Sequence, residues 1–229
     1  MRFLALVKKE FRECLPWMLL AAIAFLTIGG INLGEAIRYG HYDRVRQFAQ
    51  GSSIGMHEFK VWSPMRDTGP WLIFISAGLG LAVGIRQFWV PDYTRTWGFT
   101  VHRSTNRLTV LGAKFAGAVV VAALSLGVTW TLLFWYACQP DAFVLPPTPR
   151  VYAEGWVFIA CGLVVYLGTA LSGLSRVRWY TTKVFGLAFA ALGSMALFQW
   201  NMMAVAGTLL FVAAVLAFRT IHTFLNREF

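Results

Sequence analysis

Residues 89–114 read WVPDYTRTWGFTVHRSTNRLTVLGAK. The stretch sets Arg95, Arg103, Arg107 and Lys114 against one acid, Asp92, and lies between two strongly apolar segments. Around it the chain is written for lipid. Of 229 residues, 58% are apolar and 13% charged, and the mean hydropathy is +0.60. That is too little charge to cover a water-soluble domain. The chain reads as a single all-α, polytopic membrane domain over residues 1–229. Its net charge of +10 fits an excess of Lys and Arg on a cytoplasmic face better than a nucleic-acid partner.

Toward the amino terminus, residues 71–88 are an apolar span. Ser76, Gly80 and Gly84 form a small-xxx-small row along it, suited either to helix packing within the chain or to a dimer seam. Arg86 sits near its end, where a long side chain can reach the interface. Residues 35–70 are a polar connection, read as an extracytoplasmic loop, with five cations and four acids. Its middle, HYDRVRQFAQ, suits a short helix, and QGSSIGMHEF reads as turn. Residues 17–34 are a first span without a single charge. It is too long for a signal-peptide core and no A-x-A site follows it, so it reads as retained. Before it, RFLALVKKEFRECL (2–15) places Phe3, Leu4, Val7, Phe11, Cys14 and Leu15 on one helical face. Arg2, Lys8, Lys9, Glu10, Arg12 and Glu13 take the other. This predicts an amphipathic interfacial helix, with a bend at Pro16.

Toward the carboxyl terminus, a third span covers 109–138, with Trp130, Trp135 and Tyr136 marking an aromatic belt in its far half. QPDAFVLPPTPRVYAEG follows, and its four prolines argue against regular helix. A fourth span covers 156–174, and SRVRWYTTK (175–183) is a short basic connection. Residues 184–218 carry no charge at all. As one helix they would run ~50 Å, too long for a ~30 Å hydrocarbon core. Two short spans, 184–198 and 202–218, with a turn at Gln199-Trp200-Asn201 resolve the length. The count is six transmembrane helices. With both termini in the cytoplasm, inner segments hold 14 of the Lys and Arg residues and outer segments 6. The short inner segments are the dense ones, as the positive-inside rule requires. Residues 89–108 are then a cytoplasmic loop.

No P-loop, H-E-x-x-H or G-x-S-x-G occurs, so the chain is read as no enzyme. The six spans hold no Asp, Glu or His, groups that an ion-coupled carrier needs at depth. A membrane protein that moves something without its own energy source borrows one. No metal motif is present: His41, Asp43, His57 and Glu58 in the outer loop lack ligand spacing. Cys14, Cys138 and Cys161 read as small apolar fillers, with one outer bridge between Cys138 and Cys161 left open.

The loop carries a further pattern. Asp92, Thr96, the stretch WGFTV (97–101), the turn RSTNR (103–107) and Ala113-Lys114 follow in order. Together with the amphipathic start and six spans, this resembles the permease subunits of type-2 ABC exporters. An Asp stands where a Glu is common, and the turn lacks the usual proline. The resemblance implies pairing with a second copy or a homologous permease, in the lipid of a cytoplasmic (inner) membrane. It also implies two separate ABC-type ATPase subunits, which hold the ATP and Mg; no cofactor belongs to this chain. The expected ATPase contacts are Asp92, Tyr93, Arg95, Thr96, Trp97, Gly98 and Arg103 in the coupling loop, with Lys8 and Glu10 on the interfacial helix. The first, second and fifth spans would line the path between permeases. The cargo is left open across the family's range. Two other classes fit the same spans: a non-transporting scaffold or accessory subunit, and a lipid-modifying membrane enzyme using the polar residues of the outer loop.

Overall fold

The computed structural model describes residues 2–50, 68–97, 106–139, 147–175, 184–195 and 202–226. These form six helices and, among the described residues, no strand. They are α1 (Arg2–Gln50), α2 (Gly69–Tyr93), α3 (Arg107–Ala137), α4 (Pro149–Leu174), α5 (Phe185–Ser194) and α6 (Met202–Leu225). Five of them are long and apolar enough to cross a membrane. The chain is a multi-pass, membrane-embedded helical protein.

Several boundaries differ from expectation. The separate interfacial helix over 2–15 does not exist: α1 is one helix of 49 residues that passes straight through Pro16, about 74 Å long. Proline removes one backbone hydrogen bond, but the apolar run beyond it supplies enough helical continuity to carry on. Nor does α1 end at the polar boundary near residue 35. Residues 35–50 contain no proline and, apart from Gly40, have ordinary helix propensities, so the helix enters the expected outer loop. The turn expected at QGSSIGMHEF lies outside the described residues from 51 onward. α4 starts at Pro149 rather than near 156, because proline at the first helical position gives up an N–H with no partner there anyway. α5 is described for 10 residues, about 15 Å. The turn expected at 199–201 lies outside the described residues.

The tightest seam joins α2 and α4. Ser76, Gly80 and Gly84 are buried against Gly162, Tyr166 and Thr169. A Cβ at Gly80 would overlap the carbonyl of Gly162, and one at Gly84 would come within 2.6 Å of Thr169 Cβ. The Ser76 hydroxyl donates to the Ile159 carbonyl at 3.0 Å. The small-residue row is therefore used inside the chain and is not free to form a dimer seam. Gly168 and Gly186 repeat the device between α4 and α5. α6 closes the far side of α4 through Val205, Leu209, Val212 and Leu216, packed with Cys161, Val164 and Ala190. At one end of the bundle Trp130 is core, not belt. It is buried, its indole N–H donates to the Tyr152 carbonyl at 3.1 Å, and its ring lies over Gly155. Trp135 and Tyr136 remain exposed. All three cysteines are free.

Candidate functional site

The polar residues collect at the other end, where α1, α3 and α5 begin and α2, α4 and α6 end. Three local features bring them together. In α2, a π turn over Ile85–Trp89 is closed by the Val90 N–H on the Ile85 carbonyl. Pro91 follows it. Proline has no N–H for the preceding turn and crowds its carbonyl, and the wider turn absorbs that mismatch. It buries Gln87 and Phe88. In α3, Gly117 has no side chain where Glu10 Cβ approaches: a Cβ there would lie 3.2 Å away. In α1, Val7, Glu10 and Cys14 follow at three- and four-residue steps, so Glu10 and Cys14 turn inward together.

The result is a buried charge pair. Lys114 Nζ donates to Glu10 Oε1 at 2.9 Å. The two residues are only 4% and 6% exposed. The ammonium also faces two rings, 5.3 Å from the Trp97 centroid and 5.8 Å from that of Phe88, within cation–π range. Beside the pair, Tyr166 OH donates to Gln87 Oε1 at 2.6 Å, and Gln87 Nε2 donates to Cys14 Sγ at 3.8 Å. Glu10 Oε2 has no hydrogen-bond partner among the described residues. Trp97 packs edge-on against Phe224 of α6, with centroids 5.5 Å apart. One residue of the loop thus touches α2, α3 and α6. Arg107 adds a second tie by donating to the Leu225 carbonyl at 3.1 Å, at the helix end where a cation is favoured.

The expected contact residues divide. Glu10 and Trp97 were expected on a partner-facing surface. Both are buried, Trp97 to 3% exposure, because each lies on the inward stripe of its segment. Lys8, Tyr93, Arg95 and Thr96 are exposed, Tyr93 to 91%, and Asp92 is half-buried. Pro91 and Asp92, expected in the loop over 89–108, lie instead in the last turn of α2. The turn that follows is fixed by Thr96 N–H on the Pro91 carbonyl at 3.0 Å. Arg95 takes a left-handed φ of 54° there, a conformation non-glycine residues seldom adopt. Gly98 and Arg103 lie outside the described residues. The re-entry is close to expectation: Asn106 caps α3, its side chain accepting from Leu108 N–H at 2.9 Å.

No protein-family model, curated protein or solved structure matches the chain. The geometry therefore carries the reading. Among the described residues no group of three His, Cys, Asp or Glu side chains is placed to hold a metal. A crevice between α2, α3 and α4, lined by Ser76, Gly80, Ala118, Gly162 and Tyr166, has room for about one water, ≈ 10 Å³. What the buried pair does is join four helices, through charge and hydrogen bonds, at the point where a connecting loop enters the bundle.

Sequence reading missed this pair. It placed Glu10 with the polar face of residues 2–15 and Lys114 at a span entrance, 104 positions apart. A signal existed. Each is the lone charge on a stripe of small or apolar residues, Val7–Cys14 in one helix and Val110–Gly117–Val121 in the other. Two opposite charges on inward stripes must find each other or stay unburied.

Proposed function

We propose that the chain is the permease subunit of an ATP-driven exporter of the type-2 ABC class, working with separate ATPase subunits and a second permease. In this reading the chain crosses the cytoplasmic membrane six times with both termini inside. α5 belongs to the fifth crossing and α6 is the sixth. The charge bias between short and long connections supports the orientation. One observation carries the proposal: the loop after α2 is anchored through Trp97 to Phe88, Lys114 and Phe224. A push on that loop reaches α2, α3 and α6 at once, and α1 through Glu10. A subunit without an energy source needs such an input. The surface offered to the ATPase is Lys8, Asp92, Tyr93, Arg95 and Thr96; Glu10 and Trp97 act behind it. ATP and Mg are bound by the partner. In this reading the cargo path lies between two permeases; the water-sized crevice among α2, α3 and α4 is too small to hold a cargo.

The test is purification of the tagged chain from its native membrane. A soluble subunit with a P-loop should co-purify, and Asp92→Arg combined with Arg95→Glu should release it while the permease stays folded. A complex that survives both changes overturns the coupling surface. Full recovery of the chain with no P-loop subunit favours the scaffold or accessory reading.

A further inference from the structure

Between residues 3 and 20, only two side chains are buried, Glu10 and Cys14. The rest of this segment, including Phe3, Leu4, Leu15 and Trp17, is exposed or half-exposed. Around these two, Phe11 packs against the core, Phe3 lies over Gly112 and Glu13 pairs with Arg86 of α2. One of the two buried anchors is an ion pair. Buried ion pairs gain little over apolar contacts of the same shape, but removing one partner leaves a charge stranded and is strongly unfavourable. This pair is also incompletely satisfied, since Glu10 Oε2 has no partner among the described residues and Lys114 otherwise faces only rings. Water is close: one turn away on α1, Glu13 meets Arg86 at 3.6 Å and Lys9 at 3.8 Å in exposed ion pairs. Pro16, inside the helix, divides residues 3–15 from the rest of this segment. There one backbone hydrogen bond is missing, and helices bend at such points.

We propose that residues 3–15 form a lever, hinged at Pro16 and latched to α3 by Glu10–Lys114. With the latch closed, the lever lies on α3 over Gly117 and keeps Cys14 against Gln87. With it open, the carboxylate and the ammonium are hydrated separately and Cys14 is uncovered. Opening is selective. It needs no rearrangement of the α2–α4 seam or of the α4–α6 cluster around Cys161. The lever stands whether or not the chain is a permease: a failed ATPase co-purification leaves it untouched, and a failed lever leaves the ATPase surface on Asp92–Thr96 untouched.

Cys14 is its own reporter. In the full chain in membrane vesicles, with Cys138→Ser removing the exposed thiol, maleimide labelling of Cys14 and Cys161 is followed by peptide mass spectrometry. Lys114→Met strands Glu10 and is expected to speed Cys14 labelling at least about 10-fold with Cys161 unchanged. Glu10→Gln with Lys114→Met removes both charges and should return the rate to within about 3-fold of the starting chain. Adding Pro16→Ala to Lys114→Met restores the backbone hydrogen bond and should slow the accelerated rate at least about 3-fold. The latch is overturned if Cys14 labelling in Lys114→Met is unchanged, if Cys14 and Cys161 accelerate together, or if the double change fails to slow it. No effect of Pro16→Ala overturns the hinge.

Discussion

Gly78 and Gly80 are two residues apart in α2, and the structure assigns them opposite responses to one methyl group. At Gly78 a Cβ meets nothing within 4 Å. At Gly80 it overlaps the Gly162 carbonyl oxygen, comes within 2.9 Å of that carbonyl carbon and within 3.1 Å of Tyr166 N. These are backbone atoms, so no side chain can swing aside. Accepting the methyl requires α2 and α4 to part, and parting stretches the 3.0 Å bond from Ser76 to the Ile159 carbonyl. Overpacking costs about 1–3 kcal/mol and the weakened hydrogen bond about 0.5–1.5 kcal/mol. The gain of alanine over glycine in a helix offsets about 0.5–1 kcal/mol. Gly80→Ala should therefore lose roughly 1–3 kcal/mol, while Gly78→Ala should be neutral or gain about 0.5–1 kcal/mol. In a chain of this size the gap corresponds to roughly 5–10 °C in Tm. Thermal unfolding of the two variants in the same detergent, followed by tryptophan fluorescence, measures it. Equal Tm values would refute the assignment of this seam. A lost oligomer with unchanged Tm would instead return Ser76, Gly80 and Gly84 to a dimer interface.

Tyr166→Phe removes the hydroxyl that donates to Gln87 Oε1 at 2.6 Å and leaves that oxygen buried without its donor; a loss of about 1–3 kcal/mol is expected from the same unfolding assay, and Gln87→Leu in that background should recover part of it. Asn106→Ala removes the cap on Leu108 N–H and should cost about 1 kcal/mol, whereas Asn106→Asp should be nearly silent; hydrogen exchange at the first turn of α3 reads the difference directly.

Much of the architecture is legible in order along the chain. The apolar runs mark α2, α3, α4 and α6, because lipid demands long stretches without charge and helix alone satisfies the backbone there. The entry to α3 is legible too, since the span expected from 109 starts at Arg107, two residues earlier. The errors come from reading prolines and polar residues as local stops. Pro149 sits at the first helical position, where its N–H would have no partner anyway, and Pro16 is carried inside α1 by the turns on either side despite one lost hydrogen bond. Residues 35–50 are more polar yet helical, since no proline interrupts them and propensity carries α1 on. Of the candidate site, the exposed turn around Tyr93 and Arg95 was legible as a loop. Its anchor was not. Trp97 reads as a partner-facing residue of the loop, and the approach of Phe224, about 130 positions later, with Phe88 and Lys114 makes it core.

By itself, the sequence determined that this is a helical membrane protein, which stretches are apolar enough to enter lipid, and where along the chain its cations lie. Those properties are sums over local composition, and the bilayer reads them without reference to partners. The tertiary structure alone decided that the small-residue row faces α4, that Trp130 and Trp97 are interior, and that Glu10 meets Lys114. Whether a charge is a surface group or a buried one depends on what another helix places opposite it. At this site that is settled by the missing side chain of Gly117 and the π turn that brings Gln87 and Phe88 inward, neither of which is written near Glu10.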